Sequence, residues 1–197
     1  MHRPFLPLSL VLLLLLAACG RSAPTRYYLL ESAHTPLQAD ALPAANLRVA
    51  QVTVPNYLDR NGIVSRADGS PELVVSQFHA WAEPVAVGVR RLMQEGLGAP
   101  LLAAGVNVPA PGDDAAADYI LFVDVQRLDG DFNASAVLEA RWTLRDSRDN
   151  TLGKGIYADR EEVPGTAYDT LAAAESRMLR RMADHLGQLL PPLLRKK

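Results

Sequence analysis

Ala136-Val137-Leu138-Glu139-Ala140-Arg141-Trp142-Thr143-Leu144-Arg145 is the stretch on which the fold turns. Ala136, Leu138, Ala140, Trp142 and Leu144 occupy every second position, and Glu139, Arg141, Thr143 and Arg145 stand between them. Successive side chains of a strand point to opposite faces, so this is a half-buried strand with one apolar face to cover. Asp149-Asn150 turns the chain, and Thr151 to Glu162 reads as a further strand. The cover follows directly. Tyr168, Leu171, Met178, Leu179, Met182, Leu186 and Leu189 trace a long amphipathic helix that Pro191-Pro192 stops.

The upstream half has the same order, strands and then a helix. Tyr27-Tyr28-Leu29-Leu30 reads as a first strand, and His34 to Asn46, with Pro36 and Pro43, as a connecting loop. Leu47, Val49, Val52 and Val54 mark a strand ended by Pro55. Ile63 to Arg66 is a short strand, Asp68-Gly69-Ser70-Pro71 a turn, and Leu73 to His79 another strand. Pro84 suits the first position of a helix, where its missing N–H is of no consequence. Val85, Val89, Leu92, Met93 and Leu97 continue that helix at helical spacing, and Gly96 and Gly98 are expected to end it. Pro109 to Ala117 is a loop, and Tyr119 to Val123, apolar at every position, is expected to be a central strand covered on both faces. The fold class is therefore α/β: a single domain whose mixed β-sheet carries two main helices on one face.

The chain begins differently. Met1-His2-Arg3 is a short basic end, Phe5 to Ala18 an apolar run of 14 residues, and Leu16-Ala17-Ala18-Cys19 closes it. This is the layout of a bacterial secretion signal. Fourteen residues fall short of the roughly 20 that a spanning helix needs. Cys19, the sole cysteine, stands where a lipobox places the residue that is freed by cleavage and acylated. The expected divisions are a signal peptide (1–18), a lipidated N-terminus and tether (19–26), a domain (27–190) and a tail (191–197) that ends in Arg195-Lys196-Lys197. Gly20 is not the aspartate that favours inner-membrane retention in enteric bacteria, so the expected site is the outer membrane, facing the periplasm.

Removal of residues 1–18 takes away only Arg3 among the charged residues, leaving 19 basic and 22 acidic, a net of −3 over 179 residues. That length suffices for one core. The balance argues against nucleic acid, whose phosphates demand a basic footprint.

Catalytic patterns are missing from the sequence. There is no G-x-S-x-G, H-E-x-x-H or Walker A stretch. Gly153-Lys154-Gly155 reads as a hairpin turn, and Gly96-Leu97-Gly98 sits at a helix end, the wrong place for pyrophosphate. His34, His79 and His185 have no partner at ligand spacing, and Asp113-Asp114 and Glu161-Glu162 read as acids of a solvated loop or a strand edge. The expectation is a protein that is not an enzyme, with no metal and no cofactor other than covalent lipid on Cys19.

Val54-Pro55-Asn56-Tyr57-Leu58-Asp59-Arg60, Ile63-Val64-Ser65-Arg66 and Trp81-Ala82-Glu83-Pro84 follow one another in order behind the lipobox. Together they resemble the PqiC-like family of ABC-transport auxiliary lipoproteins, in which such a stretch ends one strand, the next forms another, and W-A-E-P opens the first helix. Tyr27-Tyr28-Leu29 is similar to the family's opening strand and Ala140-Arg141-Trp142 to a later one. Asn61-Gly62 and Phe78-His79-Ala80 depart from its usual residues. The resemblance implies a non-enzymatic periplasmic subunit working with an MCE-domain (mammalian-cell-entry) protein and an ABC permease and ATPase. Such systems move lipids or other hydrophobic molecules between the two membranes and support envelope integrity. A homo-oligomer around the transport path is an expected form. The alternative is an outer-membrane assembly or cell-wall-associated lipoprotein with no transporter partner.

Each motif residue has two readings. Asp59 and Arg60 either cap a turn and pair locally or contact a partner. Tyr57 is a loop anchor or a lipid contact, and Trp81 a core plug or an interface anchor. Glu83 favours the positive end of the helix that follows it. The acylation reading makes a direct prediction: Cys19→Ser abolishes incorporation of a labelled fatty acid and removes the protein from the membrane fraction.

Overall fold

The computed structural model describes residues 23–32, 44–67, 70–110 and 116–194. The expected signal peptide, Cys19, the beginning of the tether, Asp68-Gly69, Arg195 to Lys197 and parts of both expected loops lie outside the described residues. The elements are β1 (Arg26–Tyr28), β2 (Ala45–Val49), β3 (Gly62–Arg66), β4 (Leu73–Trp81), α1 (Val85–Ala103), β5 (Val106–Asn107), β6 (Tyr119–Asp131), β7 (Ala134–Asp146), β8 (Thr151–Val163), α2 (Tyr168–Leu189) and α3 (Pro191–Leu194). They form the expected α/β domain on a mixed, curled sheet.

The alternating stretch becomes the middle of a long antiparallel unit, β6–β7–β8. Ala136, Leu138, Ala140 and Leu144 are fully buried and Trp142 nearly so, as their alternation requires. The opposite edge of β6 is shared. β2 runs parallel to its first residues, through Leu47↔Tyr119 to Val49↔Leu121, and β3 runs parallel to its last, through Ser65↔Gly130 and Arg66↔Asp131. Beyond β3 come β4, antiparallel, and β1, parallel to the end of β4. α2 lies on β8 and β7 and against α1, and the buried stripes of both helices join one core with the sheet. Arg177 and Arg181 of α2 bind Glu161 at 2.7 Å each, and Arg181 also binds Asp159 at 2.7 Å. Glu161, on the edge strand β8, is thus a tie between strand and helix.

Several expectations need correction. The strand expected from Leu47 to Val54 ends at Val49, and the chain then follows β6 only through a single bridge, Thr53↔Asp124. The register changes between them from 47↔119 to 53↔124, an offset of one residue. The sequence contains the cause: the apolar positions change from odd, Leu47 and Val49, to even, Val52 and Val54. One extra residue keeps both sets inward. β6 is not covered on both faces. Leu121, Val123 and Val125 are buried, whereas Phe122 is 38 % exposed with the Arg145 guanidinium 5.2 Å over its ring.

α1 does not stop at Gly96 or Gly98 but continues through Pro100 to Ala103. Each helical glycine costs about 1 kcal/mol relative to alanine, which burial of Leu97 and Leu101 more than offsets. The stop is Gly105, at φ 81°, the left-handed conformation that glycine adopts without strain. Pro84 precedes the helix as its N-cap instead of opening it. β5, which pairs with Ala45 and Asn46, was not expected. Nor do the two prolines after α2 leave a free tail: Pro191 begins α3, Leu194 is buried, and its carbonyl accepts the Tyr119 hydroxyl at 2.8 Å.

Gly153-Lys154-Gly155 lies within β8 and is not the hairpin turn expected of it. The turn falls earlier, where the Asp146 carboxylate accepts the Arg148 and Asn150 N–H groups at 2.9 Å. The reason for glycine is a large neighbour. A Cβ on Gly155 would lie 2.8 Å from Nε1 of the Trp142 indole. Gly155→Ala is therefore expected to destabilise the domain by about 1–3 kcal/mol through overpacking. In a thermal melt this lowers Tm by roughly 2–4 °C per kcal/mol.

Candidate functional site

The segment from Pro55 to Asn61 joins the β2 region to β3 in two tight turns, Leu58 N–H to Pro55 O and Arg60 N–H to Leu58 O, each 2.8 Å. Its underside is fixed. Leu58 is buried, and the half-buried Tyr57 donates its hydroxyl to Oδ2 of Asp129 at 2.8 Å. The Asp129 side chain, on β6, is 0 % exposed. Arg66 at the end of β3 gives it Nε at 2.6 Å and Nη2 at 3.1 Å, and Arg127 gives Nε at 2.9 Å. Burial alone would push the Asp129 carboxyl up, but the hydrogen bonds from Arg66, Tyr57 and Arg127 outweigh it and hold the carboxyl below its ordinary range. Burial, then the bond to Asp129, pushes the Tyr57 hydroxyl up, and Tyr57 stays protonated as a donor.

Above this base Asp59 and Arg60 are exposed. Neither side chain has a hydrogen bond or ion pair with another described residue. Of the two readings for this pair, local pairing is not what the structure contains.

Trp81 and Glu83 belong to the next junction. Trp81 ends β4 with its ring in the core, 6 % exposed, and its N–H donates to Asn61 O at 2.7 Å, closing the loop segment. Glu83 stands just before the N-cap Pro84 and also has a specific partner. Its Oε1 accepts Arg91 Nη2 at 2.6 Å and Nε at 3.1 Å, and the same Nη2 reaches Leu30 O at 2.8 Å. The pair therefore straps the chain after β1 onto α1. Tyr57 and Trp81 anchor, Glu83 clamps, and Asp59 and Arg60 are displayed.

Asp129 and Arg127 escaped sequence reasoning. Their signal was weak: in Arg127-Leu128-Asp129-Gly130-Asp131 nothing distinguishes a buried acid from a turn. Glu175 of α2 also escaped it. Its side chain is enclosed with Oε1 unpartnered, and burial, aided by the negative charge of Asp129, raises its carboxyl well above the ordinary value. Among the described residues, no group of three His, Cys, Asp or Glu side chains is placed to hold a metal, and no helix is long and apolar enough to cross a membrane.

A family model described as ABC-type transport auxiliary lipoprotein component matches residues 27–187. No curated protein matches the chain. One solved structure, described only as an uncharacterized protein, is 21% identical with a TM-score of 0.70, covering 85% of this chain and 99% of its own. A protein of the DUF330 family from Xanthomonas campestris is 20% identical with a TM-score of 0.69, covering 86% of this chain and 96% of its own. At such identities the likeness is one of fold.

Glu175 yields a pH prediction. Below the ordinary carboxyl value of 4.5, native and unfolded chains both hold its proton. Above it the unfolded chain releases the proton first, so stability falls with rising pH until the native carboxyl ionises too. Glu175→Gln is expected to raise Tm at pH 8 and to flatten the decline between pH 5 and 8; thermal melts across that range check both.

Proposed function

The chain belongs to the family of ABC-type transport auxiliary lipoprotein components, and from that premise we propose that it is a non-enzymatic periplasmic subunit of an MCE/ABC-type intermembrane transport system. It is anchored at the outer membrane by acyl chains on Cys19, supports transport of lipids or other hydrophobic molecules, and helps keep the envelope intact. The observation supporting this reading is the family match across nearly the whole folded domain, residues 27–187.

The displayed turn is the proposed contact with the MCE-domain protein. An exposed charge pair with no partner among the described residues, mounted on a base tied by Tyr57 and Asp129, arrives at an interface with little ordering left to do. Charges so placed select a partner and speed encounter more than they add raw affinity. Homo-oligomerisation around the transport path belongs to the same proposal.

Crosslinked envelopes provide the test. Pull-down of the full-length lipoprotein is expected to recover an MCE-domain protein together with its permease and ATPase. Asp59→Ala with Arg60→Ala is expected to reduce that recovery while altering stability by no more than about 0.5 kcal/mol, as exposed substitutions do. Recovery of cell-wall or assembly factors in place of the MCE protein would overturn the transporter reading and favour the alternative.

A further inference from the structure

We infer that an apolar patch on β1 and β4 rests on the lipid surface that holds the anchor, fixing how the domain stands on the membrane. This rests on the reading of Cys19 as acylated. The patch is built from Tyr27, Leu29 and Phe78, which are 69 %, 50 % and 43 % exposed. They lie close together at one corner of the sheet. Tyr27 pairs with Ala80 in parallel register, Phe78 stands two residues before Ala80 in β4, and Tyr27 and Leu29 line the same groove. The intervening Tyr28 and His79 turn inward: their side chains meet at 3.0 Å, and the His79 ring stacks on Tyr168 of α2 at 4.4 Å. At this corner the core takes Tyr28 and His79 and leaves Tyr27, Leu29 and Phe78 exposed.

A single exposed apolar residue is ordinary, but two aromatics and a leucine together mark a contact surface. Chain length identifies the contact. Six residues, Gly20 to Thr25, separate Cys19 from Arg26 at the start of β1. Seven Cα steps reach at most about 25 Å, so the acylated residue remains within that distance of the patch. Ile156, 74 % exposed, lies on β8, at the far end of the strand order from β1. The chemistry suits the boundary of a bilayer. Tyrosine favours the headgroup layer, where its ring is sheltered and its hydroxyl wet. Tyr27 and Leu29 also form one wall of an open groove of about 510 Å³ whose other wall includes Ala172, Ala173 and Arg180 of α2. Acyl chains already make attachment durable, so the patch contributes orientation and not affinity.

The test uses the acylated full-length protein on phosphatidylethanolamine–phosphatidylglycerol vesicles that contain brominated lipid. In Tyr27→Cys, Phe78→Cys and Ile156→Cys the new thiol is the single free one, and it carries an environment-sensitive fluorophore. The expected result is blue-shifted emission, quenched by the brominated chains, at positions 27 and 78, with water-like, unquenched emission at 156. Water-like emission at all three positions would overturn the inference while the anchor stands. A blue shift without lipid quenching would assign the patch to a second copy of the chain and overturn it as well. Mass spectrometry of the N-terminal peptide from the same sample separates the two readings, because an unmodified Cys19 would remove the lipoprotein reading and this inference together.

Discussion

The charge on Asp129 constrains the molecule more than any other single group. An ionised carboxylate cannot be enclosed in a sheet unless its oxygens are supplied with donors, because unpaired burial costs several kcal/mol or more. Here the donors come from three places in the chain: Tyr57 from a loop, Arg66 from β3 and Arg127 from β6 itself. Meeting one carboxylate's demand therefore ties loop to strand and strand to strand across more than sixty residues of sequence. Two guanidiniums face a single carboxylate and hold it below its ordinary range, while burial pushes the Glu175 carboxyl, with Oε1 unpartnered, well above it.

A second constraint acts on the same region. β6 must share one edge between β2 and β3, and the inward-facing parity of the β2 segment changes at Val52. The extra residue that absorbs this change carries the chain off β6 after the Thr53 bridge, and the next seven residues make the turn that exposes Asp59 and Arg60. Display of that pair is thus a consequence of sheet geometry below it. The junction at Trp81 and Glu83 plays a matching part, fixing the other end of the loop and the chain after β1.

The architecture was largely legible. β7 and α2 could be placed from periodicity and β8 from the turn at Asp149-Asn150, because a half-buried strand and an amphipathic helix each repeat with the period of their own geometry. The resemblance of the Val54–Arg60, Ile63–Arg66 and Trp81–Pro84 stretches to a family of transport lipoproteins agrees with the family match. Errors clustered where local signals compete with burial. Gly96 and Gly98 look like a helix stop, but the buried stripe continues past them to Leu101. Gly153 and Gly155 look like a turn, yet they make room for an indole on the neighbouring strand. Of the motif residues, Tyr57 and Trp81 stand as packed anchors, and Glu83, beside the helix end, pairs with Arg91 eight residues away.

The sequence by itself determined the α/β class and the order of the main strands and helices, because each depends on composition or on a repeat within one segment. Tertiary structure alone decided that Asp129 is the buried centre, that Oε1 of Glu175 and the side chains of Asp59 and Arg60 have no partner among the described residues, and that Tyr27, Leu29 and Phe78 stand exposed at one corner of the sheet. Those facts depend on which distant segments become neighbours. Register and burial settle that, and neither is written in any single stretch of the chain.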